Sequence, residues 1–332
     1  MADTLVFRIL TTTACNASCS YCYERGTQLV VMNDDTAERT AAFICEQVKA
    51  AGFEAPVHLE WFGGEPTLNL KAADDISRIL LDKKVWFSSS MVTNAFLMDE
   101  RIYAERISLW QLRSVQVTLD GPEAVHERIK GLPGGSFARI LHNINLMAEQ
   151  GIHVKLRLNY DGRKEDAVRL IEELRDAFSG NDHIHAYFSP VYTRCREVPR
   201  SMMMEILELT DRLIEASLVS EKSCYALRER SYGCFMTREH GFTIAPDGRL
   251  FNCSHNMTDE QCVGTVWDYD PDHTVRRAFL SCDLSDECRQ CEMLAFCKGG
   301  CRAAQMGLAD MFRCHPYKSV FDEVKKRMSA LS

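Results

Sequence analysis

Between residues 5 and 190 the hydrophobic positions switch repeatedly between a period of two and a period near 3.6. Leu5-Val6-Phe7-Arg8-Ile9-Leu10 reads as a strand. Asp34 and Asp35 offer a helix start, and Ala41, Ile44, Cys45 and Val48 recur at i, i+3, i+4 and i+7 before Gly52 stops the run. Val57, Leu59 and Trp61 alternate as a second strand, a helical pattern covers 70–81, and 85–92 is a third strand. Val115, Val117 and Leu119 mark a fourth strand. A helix over 137–150 ends at Gly151, and Ile152, Val154, Leu156 and Leu158 alternate as a fifth strand. A helix over 164–178 leads to a sixth strand at 183–188. Six strands with intervening helices predict parallel βα units, barrel-like or as an open sheet. Eight repeats are not visible, so a complete eightfold barrel is not expected.

In parallel α/β folds the chemistry gathers at the carboxyl ends of the strands. Those ends here read Thr11-Thr12-Thr13-Ala14-Cys15, Phe62-Gly63-Gly64-Glu65-Pro66, Thr93-Asn94, Asp120-Gly121 and Asn159. After residue 190 the pattern changes. One helix over 202–218 reads as a bridge, and from about Ser231 the chain becomes short apolar runs, turns and cysteines. Residues 242–251 read as a hairpin around Pro246-Asp247-Gly248. The division expected is 1–195, a bridging helical segment at 196–230, and 231–332.

Composition narrows the classes. The chain has 332 residues, 46% hydrophobic and 26% charged, which excludes disorder as a whole-chain description. A net charge of −8 with no Lys/Arg run argues against nucleic acid as a partner. No run approaches 18 apolar residues, so no spanning helix and no membrane partner are expected. The first residues lack a signal-type pattern, which makes a cytoplasmic location the expectation.

Cysteine is the anomaly, with 15 in an acidic chain that has no secretory signal. Metal or redox chemistry is favoured over disulfides. Cys15, Cys19 and Cys22 follow the first strand directly, and three closely spaced thiolates can hold three irons of a four-iron cluster. Cys45 falls on the apolar stripe of its helix, where core packing is the expected role. The rival reading of the triplet is zinc, which as a structural ion wants four protein ligands.

Cys15-x3-Cys19-x2-Cys22, with Tyr21 before the last thiol, resembles the radical S-adenosylmethionine enzymes. Gly63-Gly64-Glu65-Pro66, Thr93-Asn94 and Thr118-Leu119-Asp120-Gly121-Pro122 extend the resemblance over about residues 5–190. It implies a partial (β/α)6 TIM-like barrel. It implies a cluster whose fourth iron binds S-adenosylmethionine, whose reductive cleavage gives a 5′-deoxyadenosyl radical. It also implies an external electron donor and cofactor-binding roles for Tyr21, Gly63, Gly64, Glu65, Pro66, Thr93, Asn94, Thr118 and Asp120. Backbone at the two glycines can approach the cofactor's methionine end closely, and the Glu65 carboxylate suits its ammonium.

Cys288-x2-Cys291-x5-Cys297-x3-Cys301-x12-Cys314 resembles the SPASM extension, a small Cys-rich irregular α+β domain carrying auxiliary iron–sulfur clusters. The resemblance implies one cluster on Cys288, Cys291, Cys297 and Cys314. A second would sit on Cys234, Cys253 and Cys301, with Cys262 or Cys282 as a fourth ligand or one iron left open. With the first, that makes three [4Fe-4S] clusters. Cys195 and Cys224 are candidate hydrogen donors to a substrate radical, against the blander reading of inert buried thiols.

Enzymes of this kind mostly modify peptides or proteins, so a peptide or protein substrate is expected, with thioether cross-linking slightly ahead of epimerisation. Sulfatase maturases carry an acidic residue after the hairpin cysteine, where this chain has Ser254, and Gln where it has Phe62. Both departures favour a maturase of ribosomally made peptides. Many such maturases carry an N-terminal leader-binding domain; since the first strand here begins near residue 5, either the peptide binds the barrel and Cys-rich domain directly or a separate leader-binding protein presents it. Sulfatase-maturase-like protein modification, a small-molecule dehydrogenase and a non-catalytic iron–sulfur or zinc protein are the alternatives.

Overall fold

The computed structural model describes residues 4–52, 55–191, 197–220 and 234–330. Six parallel strands open the fold: β1 (Leu5–Thr12), β2 (Val57–Gly63), β3 (Phe87–Thr93), β4 (Leu112–Leu119), β5 (His153–Tyr160) and β6 (Ile184–Pro190). Each pairs with the next in chain order. The helices between them are α1 (Asp34–Ala50), α2 (Leu70–Asp82), α3 (Glu100–Arg106), α4 (Glu123–Lys130), α5 (Ser136–Glu149) and α6 (Lys164–Phe178), with α7 (Arg200–Glu215) after β6. This is the partial barrel anticipated.

The strand pattern explains where the core sits. Along β2 the buried Val57, Leu59 and Trp61 alternate with half-buried His58, Glu60 and Phe62. Along β4, buried Val115, Val117 and Leu119 alternate with half-buried Ser114, Gln116 and Thr118. Successive side chains point to opposite faces, so the apolar set packs under the helices and the polar set lines the inside of the barrel. The apolar layer includes Phe7, Phe43, Ile44, Ile76 and Ile144, and Cys45 packs against its edge. The α1 cap lies one residue before the expected acids. Asn33 accepts from the Thr36 N–H at 2.8 Å, while Asp34 and Asp35 occupy the first turn, where the helix dipole favours negative charge.

β7 (Gly241–Ile244) and β8 (Arg249–Phe251) form the expected hairpin, and β9 (Cys262–Thr265) continues it. β7 also pairs in parallel with β1, from Val6 opposite Gly241 to Ile9 opposite Ile244. The sheet is therefore continuous over nine strands, in the order β6-β5-β4-β3-β2-β1-β7-β8-β9. α7 lies on β6 and contributes Met203, Ile206, Leu207 and Leu213 to the main core. Its other contacts run to the 3-10 turn Pro316–Val320 and, through Arg200 and Asp322 at 2.9 Å, to the C-terminal helix.

The rest of the Cys-rich region is short: α8 (Thr274–Leu280), α9 (Asp286–Arg289), α10 (Leu294–Cys297) and α11 (Arg302–Gln305), then α12 (Phe321–Ala330). A small second core of Met236, Phe279 and Ala303 takes in Cys253 and Cys301 at its edge. The fully buried Arg276 ties this region together. It donates to Asn252 Oδ1 at 2.6 Å and to the carbonyls of Arg238 and Glu239 at 3.0 and 2.7 Å, and lies over the Phe242 ring at 4.6 Å.

Candidate active site

Cys15, Cys19 and Cys22 stand as free thiols on the loop that leaves β1. The neighbouring strand ends hold this loop in place, each through a different contact. At the β2 end, the Gly64 N–H donates to Thr12 O at 3.0 Å and the Glu65 N–H to Ala14 O at 2.8 Å. A Cβ on Gly64 would stand 2.3 Å from Ala14 O and 2.6 Å from Thr13 O, so only glycine permits that approach. At the β3 end, Asn94 Nδ2 donates to Asn16 Oδ1 at 2.7 Å. At the β4 end, Tyr21 donates its hydroxyl to Asp120 Oδ1 at 2.7 Å, and Asn159 of β5 donates to the same oxygen at 2.7 Å. Lys130, at the last turn of α4, lies 3.2 Å from Asp120 Oδ2, and its carbonyl accepts from the Ser18 N–H at 2.7 Å.

Glu65 is 1% exposed, and its carboxylate is already engaged. Oε1 accepts from the Thr67 N–H, the Thr67 hydroxyl and the Thr93 hydroxyl, and Oε2 accepts from the Asn94 N–H at 2.8 Å. Burial pushes this carboxyl up, against the pull of those four donors. In the structure Glu65 is a strut joining the ends of β2 and β3, while Pro66 opens a 3-10 turn behind it. Thr118 lies on the inner face of β4, one residue from the buried Val117 and Leu119.

Electrostatics near the loop follow from burial. Burial opposes the Lys130 charge, but Asp120, Tyr21 and Cys19 outweigh it and hold its pKa above the ordinary range. Burial and the adjacent Lys130 drive His126 down to about 3, so the ring is neutral, and its Nδ1 accepts from the Asp120 N–H at 3.2 Å. Partial desolvation, with Glu65, Cys19 and Cys22 nearby, raises the Cys15 thiol to about 11. Metal binding at such thiols must displace protons.

The later cysteines form two more groups. Burial raises the Cys234 thiol, with Cys301 near enough to add to it, and burial with Cys301 and Cys234 nearby puts Cys253 at about 11. Cys288, Cys291, Cys297 and Cys314 line one small cavity with Met293, Leu294 and Lys318. Cys282 lines a different cavity, of about 190 Å3, together with Cys234 and Cys288. Cys262 is on β9, its thiol directed to the carbonyl of Gly264 at 3.2 Å. Cys195 and Cys224 lie outside the described residues. Among the described residues no three His, Cys, Asp or Glu side chains converge on a single metal ion. Thiolates around a four-iron cluster each bind a separate iron, so the three all-sulfur groups suit clusters.

Between the Cys15–Cys22 loop and the segment that carries Cys253 lies a polar interior. Arg8 of β1 pairs with Glu60 at 2.5 Å and donates to Ser254 Oγ at 2.7 Å, its guanidinium held between the rings of Phe62 and Phe235. Tyr23, next to Cys22, lies against His255 with ring centroids 4.1 Å apart and planes tilted by 33°, so the Cys15–Cys22 loop touches the segment that carries Cys253. Sequence reasoning missed Arg8, Lys130 and Asn16. Arg8 left one signal, a charge at an inner-face position of an otherwise apolar strand.

Residues 9–162 match the model of the Radical SAM superfamily. The barrel thus carries a Radical SAM domain. A probable GTP 3′,8-cyclase of Methanosarcina mazei is 29% identical over 171 residues, covering 51% of this chain and 49% of that one. The chain spans about half the length of that curated relative. A cysteine-type anaerobic sulfatase-maturating enzyme of Clostridium perfringens is 23% identical, covering 95% of this chain and 94% of that one. The solved structure of native anSMEcpe with bound AdoMet and Cp18Cys peptide superposes with a TM-score of 0.73, at 20% identity over 99% and 98% of the chains. Streptococcus suis SuiB bound to its precursor peptide SuiA superposes with a TM-score of 0.65, at 17% identity over 94% and 75%. At these identities the likeness establishes the fold.

Proposed function

We propose that the protein is a radical S-adenosylmethionine enzyme that modifies a peptide or protein, with two auxiliary clusters in the 231–332 region. One observation carries the reading. The thiols fall into three separate groups, and the group at the β1 end is fixed by contacts from the ends of β2, β3 and β4. When bound there together, a four-iron cluster and S-adenosylmethionine supply a 5′-deoxyadenosyl radical able to abstract hydrogen from substrate.

The chain's own residues have distinct tasks in this reading. Cys15, Cys19 and Cys22 hold the cluster. Gly63 and Gly64 bring the β2 end against the loop, and the Tyr21–Asp120–Lys130 set locks its far side. Thr93, Asn94 and Glu65 brace the strand ends that face the cofactor. The polar interior around Arg8, Glu60 and Ser254 receives the substrate. Two solved neighbours of the same fold, anSMEcpe with Cp18Cys peptide and SuiB with its precursor peptide SuiA, hold a bound peptide, which supports a peptide here. The chain has Ser254 where a sulfatase maturase carries an acid, and Ser254 Oγ is committed to Arg8. That favours a peptide maturase over sulfatase maturation. Thioether formation is favoured over epimerisation because the upstream group has three clear thiols, while Cys262 is turned to its own strand.

The test is anaerobic reconstitution and reduction. The wild-type chain is expected to form 5′-deoxyadenosine, and the Cys15/Cys19/Cys22→Ala variant to form none while keeping the later clusters. Cofactor cleavage by the triple variant would refute the assignment. Co-expression with a short peptide encoded beside this chain should give a product lighter by two hydrogens. A product of unchanged mass that takes up one deuterium from heavy water would instead mean epimerisation.

A further inference from the structure

The barrel has a second opening, below the cluster loops. A cavity of about 390 Å3 lies where the strands begin, lined among other residues by His58, Glu60, Ser90, Gln116, Lys155 and Phe235. The first five share the inner face of β2–β5, each one residue out of step with a buried neighbour. Three features of this lining point the same way. Glu60, the one carboxylate among the described lining residues, is paired with Arg8. Lys155 is exposed, and among the described residues no carboxylate stands within ion-pair distance of it. Gln116 Oε1 accepts the Tyr187 hydroxyl at 2.9 Å, which leaves its amide hydrogens for another acceptor.

The nearby imidazoles do not compete for an anion. His58 is held between Ser88 Oγ at 3.0 Å and Ser90 Oγ at 2.9 Å. Burial lowers the pKa of His58 and of His185, and Lys155 pushes both further down. An ammonium without a counter-ion, in a polar cavity beside an amide donor, is built for an acceptor that carries charge.

We infer that this lower interior is an anchoring subsite for a carboxylate of the peptide substrate, gripped by the Lys155 ammonium and the Gln116 amide. The inference rests on the peptide reading above. It also sets a spacing. Lys155 lies four residues below Asn159 on β5, and Asn159 bonds Asp120 beside the first cluster loop. At about 3.3 Å per residue that is about 13 Å, or about four residues of extended peptide between the anchored carboxylate and the residue modified. The carboxylate comes either from an Asp or Glu side chain or from the peptide's C-terminus.

Isothermal titration of the anaerobically reconstituted full chain decides between these. The probes are Ac-Gly-Asp-Gly-NH2, Ac-Gly-Gly-Gly-OH and the neutral Ac-Gly-Asn-Gly-NH2. One carboxylate probe is expected to bind at least tenfold more tightly than the neutral one, and which one does so names the source. Lys155→Met should erase the preference and Lys155→Arg should keep it. Equal binding of all three probes, or a preference that survives Lys155→Met, overturns the inference. 5′-Deoxyadenosine formation is measured on the same wild-type preparation; its failure would count against the proposed reaction, whereas the titration alone judges the carboxylate site.

Discussion

Gly64→Ala is the sharpest single perturbation of the first cluster loop. The added Cβ would meet Ala14 O at 2.3 Å and Thr13 O at 2.6 Å, both backbone atoms with no rotamer in which to retreat. Restoring an ordinary contact of about 3.4 Å requires the loop and the β2 end to separate by about 1 Å. That movement stretches the Gly64-to-Thr12 and Glu65-to-Ala14 hydrogen bonds, now 3.0 and 2.8 Å. Two backbone bonds at about 1 kcal/mol each, with about 1–3 kcal/mol for overpacking, give a loss of about 3–5 kcal/mol. Gly134→Ala is the control, because a methyl group there would meet nothing within 4 Å and its φ is ordinary. It should shift stability by no more than about 0.5 kcal/mol. Urea unfolding of both variants beside the wild-type chain, with iron analysis after reconstitution, tests the argument. Gly64→Ala should lower the midpoint and lose the iron of one cluster. Equal midpoints and equal iron in the two variants would mean that the close approach does not shape the loop.

Three other outcomes follow from the same contacts. Arg276→Met leaves the buried Asn252 Oδ1 and the partly buried carbonyls of Arg238 and Glu239 without their donor and should cost about 2–3 kcal/mol in denaturant unfolding; a loss under about 1 kcal/mol would contradict the strut. His126 is neutral in the fold, with a pKa of about 3 against an ordinary 6.5. As pH falls from 6.5 towards 3 the unfolded chain takes a proton that the fold refuses, so stability should decline by up to about 1.4 kcal/mol per pH unit. His126→Gln should flatten that slope between pH 6.5 and 5, and an unchanged slope would remove His126 as its source. Full reconstitution should give about twelve iron per chain, and Cys288→Ala with Cys291→Ala about eight; zinc in place of iron would reject the cluster assignment.

The sequence made the barrel legible because one strand face is apolar and its periodicity is visible residue by residue, as in Val57, Leu59 and Trp61. It also marked the strand ends, because glycine, asparagine and aspartate there break the apolar runs. It did not reveal α3 and α4, which are short, nor the pairing of β7 with β1, since a strand of four residues carries no mark of its partner. The Cys15, Cys19 and Cys22 triplet was visible from its spacing. The braces were not. Lys130, Asn16 and Arg8 act through contacts between distant segments, and no local pattern announces the four hydrogen bonds that the Glu65 carboxylate accepts.

The parallel pairing of β1 with β7 has a consequence for how the chain is made. Residues 6–9 are synthesised long before residues 241–244, which supply one of their two neighbouring strands. Until then the main-chain N–H and C=O groups along that side of β1 are an open template for another chain. Closing so wide a separation is slow, and exposed edges in waiting intermediates invite aggregation. A version cut before residue 234 would keep that edge uncovered permanently. The Cys-rich region is thus the barrel's missing border as well as a carrier of thiols, and barrel solubility should depend on it even in chains whose later cysteines are all replaced.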